Sequence, residues 1–266
     1  HGAGVFPTIE RRFMADPTPI VPLAIAGLCG GAITASALWA YSVFSPRCQF
    51  WAPVIRSIPQ REAVCLTFDD GPDPEITPRI LDILTERGIK ATFFLIGRSA
   101  AAHPEVVRRI HEAGHEVGNH SYDHEHFGVK KPLDYWQGQI GETQAAIAEI
   151  IGHPPRLFRP PMGFKTRHIA AAAKAARLPI IGWSARAYDT KVMPAEVLAR
   201  RLLRRTSGHD ILLLHDGVDP HGKGGNQART AEALPALLDG IVAKKLAIMP
   251  LVDALLGSPR LESREN

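Results

Sequence analysis

The sequence predicts an α/β fold, a (β/α) barrel or a close variant of one, preceded by an N-terminal apolar helix. Three observations predict it. From residue 63 onward, short β-branched or aromatic runs alternate with longer helical patterns, as in βα units around a parallel sheet. No Ser/Gly linker and no repeat of fixed period interrupts them, so 63–257 reads as one domain. A chain of 266 residues, 45% hydrophobic and 22% charged, can bury a full core.

The elements follow in order. Residues 1–17 read as a flexible N-terminus. No charged side chain lies between residues 17 and 46, and 18–46 is expected to be a transmembrane or signal-anchor helix. Its apolar part, 20–44, exceeds the roughly 20 residues that cross a bilayer. A cleavable signal peptide would have a shorter apolar core. The competing reading is a helix packed on the globular domain. Gly27 and Gly31 form a GxxxG pair, and arginines flank both ends, leaving orientation open. Residues 47–62 connect to the domain. Strands are predicted at 63–68, 91–96, 116–119, 157–159, 180–183, 211–214 and 246–249. One helix opens at Thr77-Pro78, carries Ile80, Leu81, Ile83 and Leu84, and closes at Gly88. Another runs from Pro104 to Gly114, and longer helical patterns occupy about 133–151, 166–177, 194–206 and 228–244. Residues 258–266 form a polar tail.

Composition narrows the function. A net charge of +4 without a block of like charge permits an acidic cell-envelope partner and does not argue for nucleic acid. The densest basic cluster, ARRLLRR at 199–205, reads as a solvated helix face. Cys29, Cys48 and Cys65 make no closed disulfide framework and no paired metal-ligand spacing.

Polar residues concentrate where the predicted strands end, the edge at which such folds build their sites. Asp69 and Asp70 follow the first run, Asn119 and His120 the third, Arg159 the fourth, 184–189 the fifth, and His215 and Asp216 the sixth. Adjacent carboxylates leaving a buried strand repel and require compensation. HSYDH at 120–124 sets two imidazoles four positions apart, on one side of a helical turn, which suits a divalent transition metal. With Asp70 they make a two-His, one-Asp set that leaves positions for water and substrate. Asp69 then stays free beside a water whose pKa a metal lowers to about 7.

TFDDGP (67–72), HSYDH (120–124), RPPMG (159–163) and LLLHD (212–216) resemble, in order and spacing, the signature motifs of the polysaccharide deacetylases, carbohydrate esterase family four. The resemblance spans about 64–252. It implies a distorted (β/α) barrel of seven or eight units and metal-dependent removal of N- or O-acetyl groups from glycans, with zinc as the usual metal and cobalt or nickel as alternatives. Position by position, it implies Asp69 as general base, Asp70, His120 and His124 as metal ligands, and His215 as general acid. It further implies Arg159 as the arginine that holds the base, and Asp189 as the acid that tunes His215. The Met162 N–H would stabilise the oxyanion, Leu213 would line the acetyl pocket, and Pro161 and Trp183 belong to the substrate side. Two departures stand out. Where the family often has Asp-x-x-Asp-Trp, this chain reads RAYDT at 186–190, so Arg186 replaces an acid and Thr190 a tryptophan. Met162 stands where an aromatic is common.

Blander readings apply elsewhere. His126 is set aside as a ligand because it does not share a helical face with His124. His103, His111, His115, His153, His168, His209 and His221 read as surface or capping groups. HGKGGN at 221–226 lacks the ending of a phosphate loop and reads as a rim loop. Asp189 could cap the following segment, and Trp183 could be core. The expected protein is a metal-dependent deacetylase of an N-acetylated polysaccharide, peptidoglycan or chitin-like, anchored in the bacterial cell envelope. The alternatives are an O-acetyl esterase, a deformylase, or a glycan-binding barrel without activity. The histidine pair argues against a glycosidase, which needs two acids flanking the scissile bond.

Overall fold

The computed structural model describes residues 30–126, 128–221 and 227–256. Its strands are β1 (Val54–Ile55), β2 (Ala63–Asp69), β3 (Thr92–Leu95), β4 (Glu116–Asn119), β5 (Ile180–Ile181), β6 (Ala185–Arg186), β7 (Ile211–His215) and β8 (Ala247–Ile248). Every ladder is parallel, in the order β4-β3-β2-β7-β6, with β8 on the start of β2 and β1 beside β5. The helices are α1 (Gly30–Phe44), α2 (Ile76–Glu86), α3 (Gly97–Ala102), α4 (Pro104–Glu112), α5 (Leu133–Ile151), α6 (Arg167–Ala175), α7 (Ala195–Leu203), α8 (Ala228–Ala243) and α9 (Leu251–Leu256).

The strand expected at 157–159 shrinks to Phe158, which bridges Asn119 and Ile180. Prolines 154, 155, 160 and 161 flank it, and residues without N–H cannot extend a ladder. The strand expected at 180–183 changes partner partway. Gly182 N–H donates to Ile55 and Ser184 N–H to Ile211, so β5 faces β1 while β6 joins β7. The result is a parallel α/β sheet in two pieces tied by single-residue bridges, not one ladder of even units.

β2 is buried along its whole length, as expected of a strand covered on both faces. Its period of two sorts the side chains. Val64, Leu66 and Phe68 pack with Phe93, Leu95, Leu212 and Leu214 under α2, α4, α7 and α8. Ala63 and Cys65 turn the other way, toward Phe94, Leu213, Trp183 and the α9 residues Leu251 and Leu255. Continuing that alternation puts Thr67 and Asp69 above this second layer, which is how the strand delivers a carboxylate to its own carboxyl end. α2 begins at Ile76, one residue before Thr77-Pro78. The Asp73 carboxylate accepts the N–H groups of Glu75 and Ile76, and Thr77 is left to donate to Asp216.

The membrane-crossing helix expected over 20–44 is described only from Gly30, and residues 20–29 lie outside the described residues. Among the described residues, no helix is long and apolar enough to cross a membrane. The end of α1 docks on the domain. Val43 is buried and accepts the Lys165 N–H, Phe44 meets Phe164 edge-on, and Trp51 donates to Ser42.

One histidine departs from its expected place. His115, expected at the surface, is buried edge-on against Phe93 and accepts the Ala91 N–H at Nδ1. Burial, aided by Lys90, lowers its pKa to about 4.

Candidate active site

The carboxyl ends of β2 and β7 lie side by side, with Asp69 and His215 as register partners. At Asp70 the chain turns through a left-handed φ of 72°, which separates the directions of two adjacent carboxylates. The backbone is crowded there. A Cβ on Gly71 would stand 2.2 Å from the Asp216 carboxylate, and one on Gly217 would stand 2.1 Å from the Asp70 carbonyl. Only glycine lets these two strand ends approach.

Asp69 is held from behind. Arg159, fully buried, donates to Asp69 Oδ1 at 2.5 Å, to Thr67 Oγ1 at 2.9 Å and to the Gly182 carbonyl at 2.9 Å. Its guanidinium lies 4.1 Å from the centre of the Phe94 ring. Thr67 completes the chain by donating to the Leu212 carbonyl. A buried charge needs such satisfaction, and this one is satisfied largely by the group it orients.

Asp70 faces the imidazoles. His120 Nε2 is 3.3 Å and His124 Nε2 3.2 Å from Asp70 Oδ1. The expectation that a helical turn unites the two histidines is corrected, because 120–126 is irregular, with left-handed φ values at Ser121 (65°) and His124 (54°). Two tight turns, not a shared helix face, bring the rings to 4.9 Å between centres. Each ring is oriented through its other nitrogen. His120 Nδ1 lies 2.7 Å from the Arg159 carbonyl, and His124 Nδ1 lies 3.1 Å from Asp219 Oδ1. A carbonyl can only accept, so Nδ1 of His120 carries the proton and its Nε2 offers a lone pair.

That arrangement fits a divalent cation. Asp70 Oδ1 is buried without a hydrogen-bond partner, facing nitrogen lone pairs at 3.2–3.3 Å. Acceptors converging on one point repel unless a cation sits among them. Asp70, His120 and His124 could therefore hold a metal ion.

His215 stands on the neighbouring strand end. Its N–H and Nδ1 engage the two oxygens of buried Asp189 at 2.7 and 2.9 Å, and Thr230 on α8 donates to Asp189 at 3.0 Å. Burial opposes the charged imidazole, but Asp189, with help from Asp70 and Asp69, pushes its pKa up to about 10. Asp189 thus ties to His215 and is not a helix cap.

The pocket over these groups is lined by Asp69, Asp70, His120, His124, His215 and Asp189, together with Met162, Trp183 and Leu213. Trp183 is therefore both core and wall. Met162 turns through φ 56° and leaves its side chain 48% exposed. Pro161 is buried in the same turn, Pro161–Gly163, and does not line the pocket. Asp219 was not singled out by the sequence. It accepts from His124 and His126, and the His221 N–H caps it at 2.9 Å. The signal was present in HDGVDPH at 215–221, a further acid and histidine just after a site strand. His126, set aside in the sequence, belongs to this outer cluster, and His221, read as surface, reaches the Asp123 carbonyl.

A parallel α/β sheet whose strand ends converge on an Asp–His–His cluster, a separate carboxylate and a carboxylate-paired imidazole defines a hydrolase-type centre. Residues 56–181 match the family model described as polysaccharide deacetylase. A chitooligosaccharide deacetylase of Azorhizobium caulinodans is 32% identical, over 72% of this chain and 93% of that protein. A peptidoglycan-N-acetylglucosamine deacetylase of Bacillus cereus is 36% identical over 60% of this chain, which spans only 58% of that relative's length. The crystal structure of the Bc1960 peptidoglycan N-acetylglucosamine deacetylase superposes with a TM-score of 0.70 at 32% identity, over 75% of this chain and 91% of that one. The chain belongs to the polysaccharide deacetylase family.

Proposed function

We propose that the protein is a metal-dependent deacetylase that removes N-acetyl groups from an N-acetylated glycan, with peptidoglycan as the leading substrate. The observation that carries this reading is the convergence of Asp70, His120 and His124 around one unpartnered oxygen, beside Asp69 and His215 on paired strand ends. The names of the relatives support the substrate class and an extracytoplasmic site of action in the cell envelope. We read the two sheet pieces as a distorted barrel, since 180–186 passes from β1 to β7.

Asp70, His120 and His124 would hold the ion, most economically zinc. When bound, it supplies Lewis acidity toward the acetyl carbonyl and acidifies water. The chain's own residues do the rest. Asp69, fixed by Arg159, takes the proton of the attacking water. His215, held as imidazolium by Asp189, gives a proton to the departing amine. Leu213 and Trp183 wall the space for the acetyl methyl, and the Met162 N–H serves the oxyanion. Acetate release from peptidoglycan and N-acetylglucosamine oligomers, abolished by chelation and restored by zinc, is the expected result. Metal-loaded protein that releases acetate from none of them overturns the reading.

Asp219 acts on the ligand His124 from behind, and such partners are worth about 10–100-fold in metal affinity. Asp219→Asn is expected to weaken zinc binding by about that factor in a chelator competition. Unchanged affinity would remove Asp219 from the site.

Membrane attachment through residues 20–44 belongs to the same reading. It is supported by the uncharged run and by Leu38, Trp39, Tyr41 and Phe44, which stay 42–57% exposed on α1.

A further inference from the structure

We propose that Arg186, Tyr188 and Arg205 form a subsite for a negatively charged substituent of the glycan, a carboxylate or a phosphate, carried beside the acetylated sugar. The inference rests on the deacetylase reading and adds the charge of its substrate.

Arg186 and Thr190 are the two positions at which the chain departs from the family's fourth motif, and both line the active-site pocket. An acid there would repel an anion, whereas an arginine attracts one, and a threonine in place of tryptophan leaves room for it. Arg186 is held by aromatic groups and not by a carboxylate. It donates to the Tyr188 hydroxyl at 3.0 Å and lies 4.2 Å from the centre of that ring and 5.9 Å from that of Trp183. Only one N–H is used this way, so the rest of the guanidinium fork is free to meet an oxyanion. Tyr188 itself is turned through φ 63°.

The cations do not stop at the pocket. Arg205 lies 5.9 Å from the centre of the Tyr188 ring on its way to a cleft on α7 that Arg200, Arg201 and Arg204 also line. The Tyr188 hydroxyl is pulled below its ordinary pKa by the Arg186 hydrogen bond first, with Arg205 adding to it. Among the described residues, none of these five arginines has a carboxylate within 4.0 Å, and no acid lines the cleft. The basic face read from 199–205 is therefore the outer end of an uncompensated strip that begins inside the active site. A neutral glycan leaves the charge of such a strip uncompensated. An anionic one follows it away from the reacting sugar.

The test compares acetate release from peptidoglycan oligomers with free peptide carboxylates, from the same oligomers amidated to remove the charge, and from neutral N-acetylglucosamine oligomers. A phosphodiester-bearing acetylated glycan forms a parallel arm, and a preference confined to that arm assigns the anion as phosphate. The charged oligomer is expected to have a KM about threefold to tenfold below that of its amidated form at low salt, with the difference shrinking as salt rises. Arg186→Gln is expected to bring that ratio toward one, and Arg205→Gln to lower it partway. Equal KM values for charged and uncharged forms in both the carboxylate and the phosphodiester arm of the unaltered protein, or a ratio that Arg186→Gln leaves unchanged, overturn the subsite. Absence of acetate from every substrate would instead overturn the deacetylase reading. Calorimetric binding of the same oligomers, with and without Arg186→Gln, then decides the subsite by the same ratio.

Discussion

Asp69→Asn is expected to lower kcat/KM for acetyl release by about 10²–10⁴-fold, the usual worth of a positioned general base, while metal content stays at the unaltered level. The geometry explains why the two effects should separate. Asp69 Oδ1 receives Arg159 and lies next to the cluster, but the oxygen that the two Nε2 atoms share belongs to Asp70. Asparagine keeps an acceptor for Arg159, so position is retained and basicity is lost. The fold bears a cost, because Arg159 is fully buried and its Nε already lacks a partner. Losing the opposing charge is expected to reduce unfolding free energy by up to about 3 kcal/mol, softened by Thr67, Gly182 and the Phe94 ring. Steady-state kinetics and metal analysis on the same preparation check this. Activity within threefold of the unaltered protein would show that Asp69 is not the base. Loss of metal together with activity would show that it is a ligand.

How much of this was legible in the sequence depends on the kind of information each feature carries. Strand cores such as 63–68 and 211–214 announce themselves because burial on both faces demands unbroken apolar runs, and the period of two then says which way each side chain points. The same logic locates Asp69, since it continues the inward series from Cys65 and Thr67. The short, partner-switching pieces are different. Val54–Ile55 and Ala185–Arg186 are too short to show a period, and their existence depends on hydrogen bonds to strands far away in sequence. The histidine pair was found by spacing but for the wrong geometric reason, because left-handed turns at Ser121 and His124 do the work assigned to a helix. Asp219 and the burial of His115 are tertiary facts. Nothing in the local pattern says that the loop after β7 folds back over His124, or that an imidazole sits against Phe93.

His215 and Asp189 are expected to set the alkaline limit of the reaction. His215 must carry a proton to donate it, so activity is present below its folded pKa, about 10, and lost as pH rises through it. Burial by itself would pull that value below the ordinary 6.5, and the first influence opposing it is Asp189. Asp189→Asn removes this charge while keeping an acceptor for the His215 N–H and for Thr230. The alkaline limb should then move to lower pH, and kcat at pH 9 should fall by about 10²-fold, with a smaller loss near pH 6 where the weakened imidazole is still protonated. His215→Gln should lose about 10²–10⁴-fold at every pH, because no group remains to protonate the amine. Substrates with a better leaving group should recover part of that loss, since they depend less on the donated proton. A pH profile of Asp189→Asn that superposes on the unaltered one would mean that the carboxylate only holds the ring in place, and the acid role of His215 would then lack its electrostatic support.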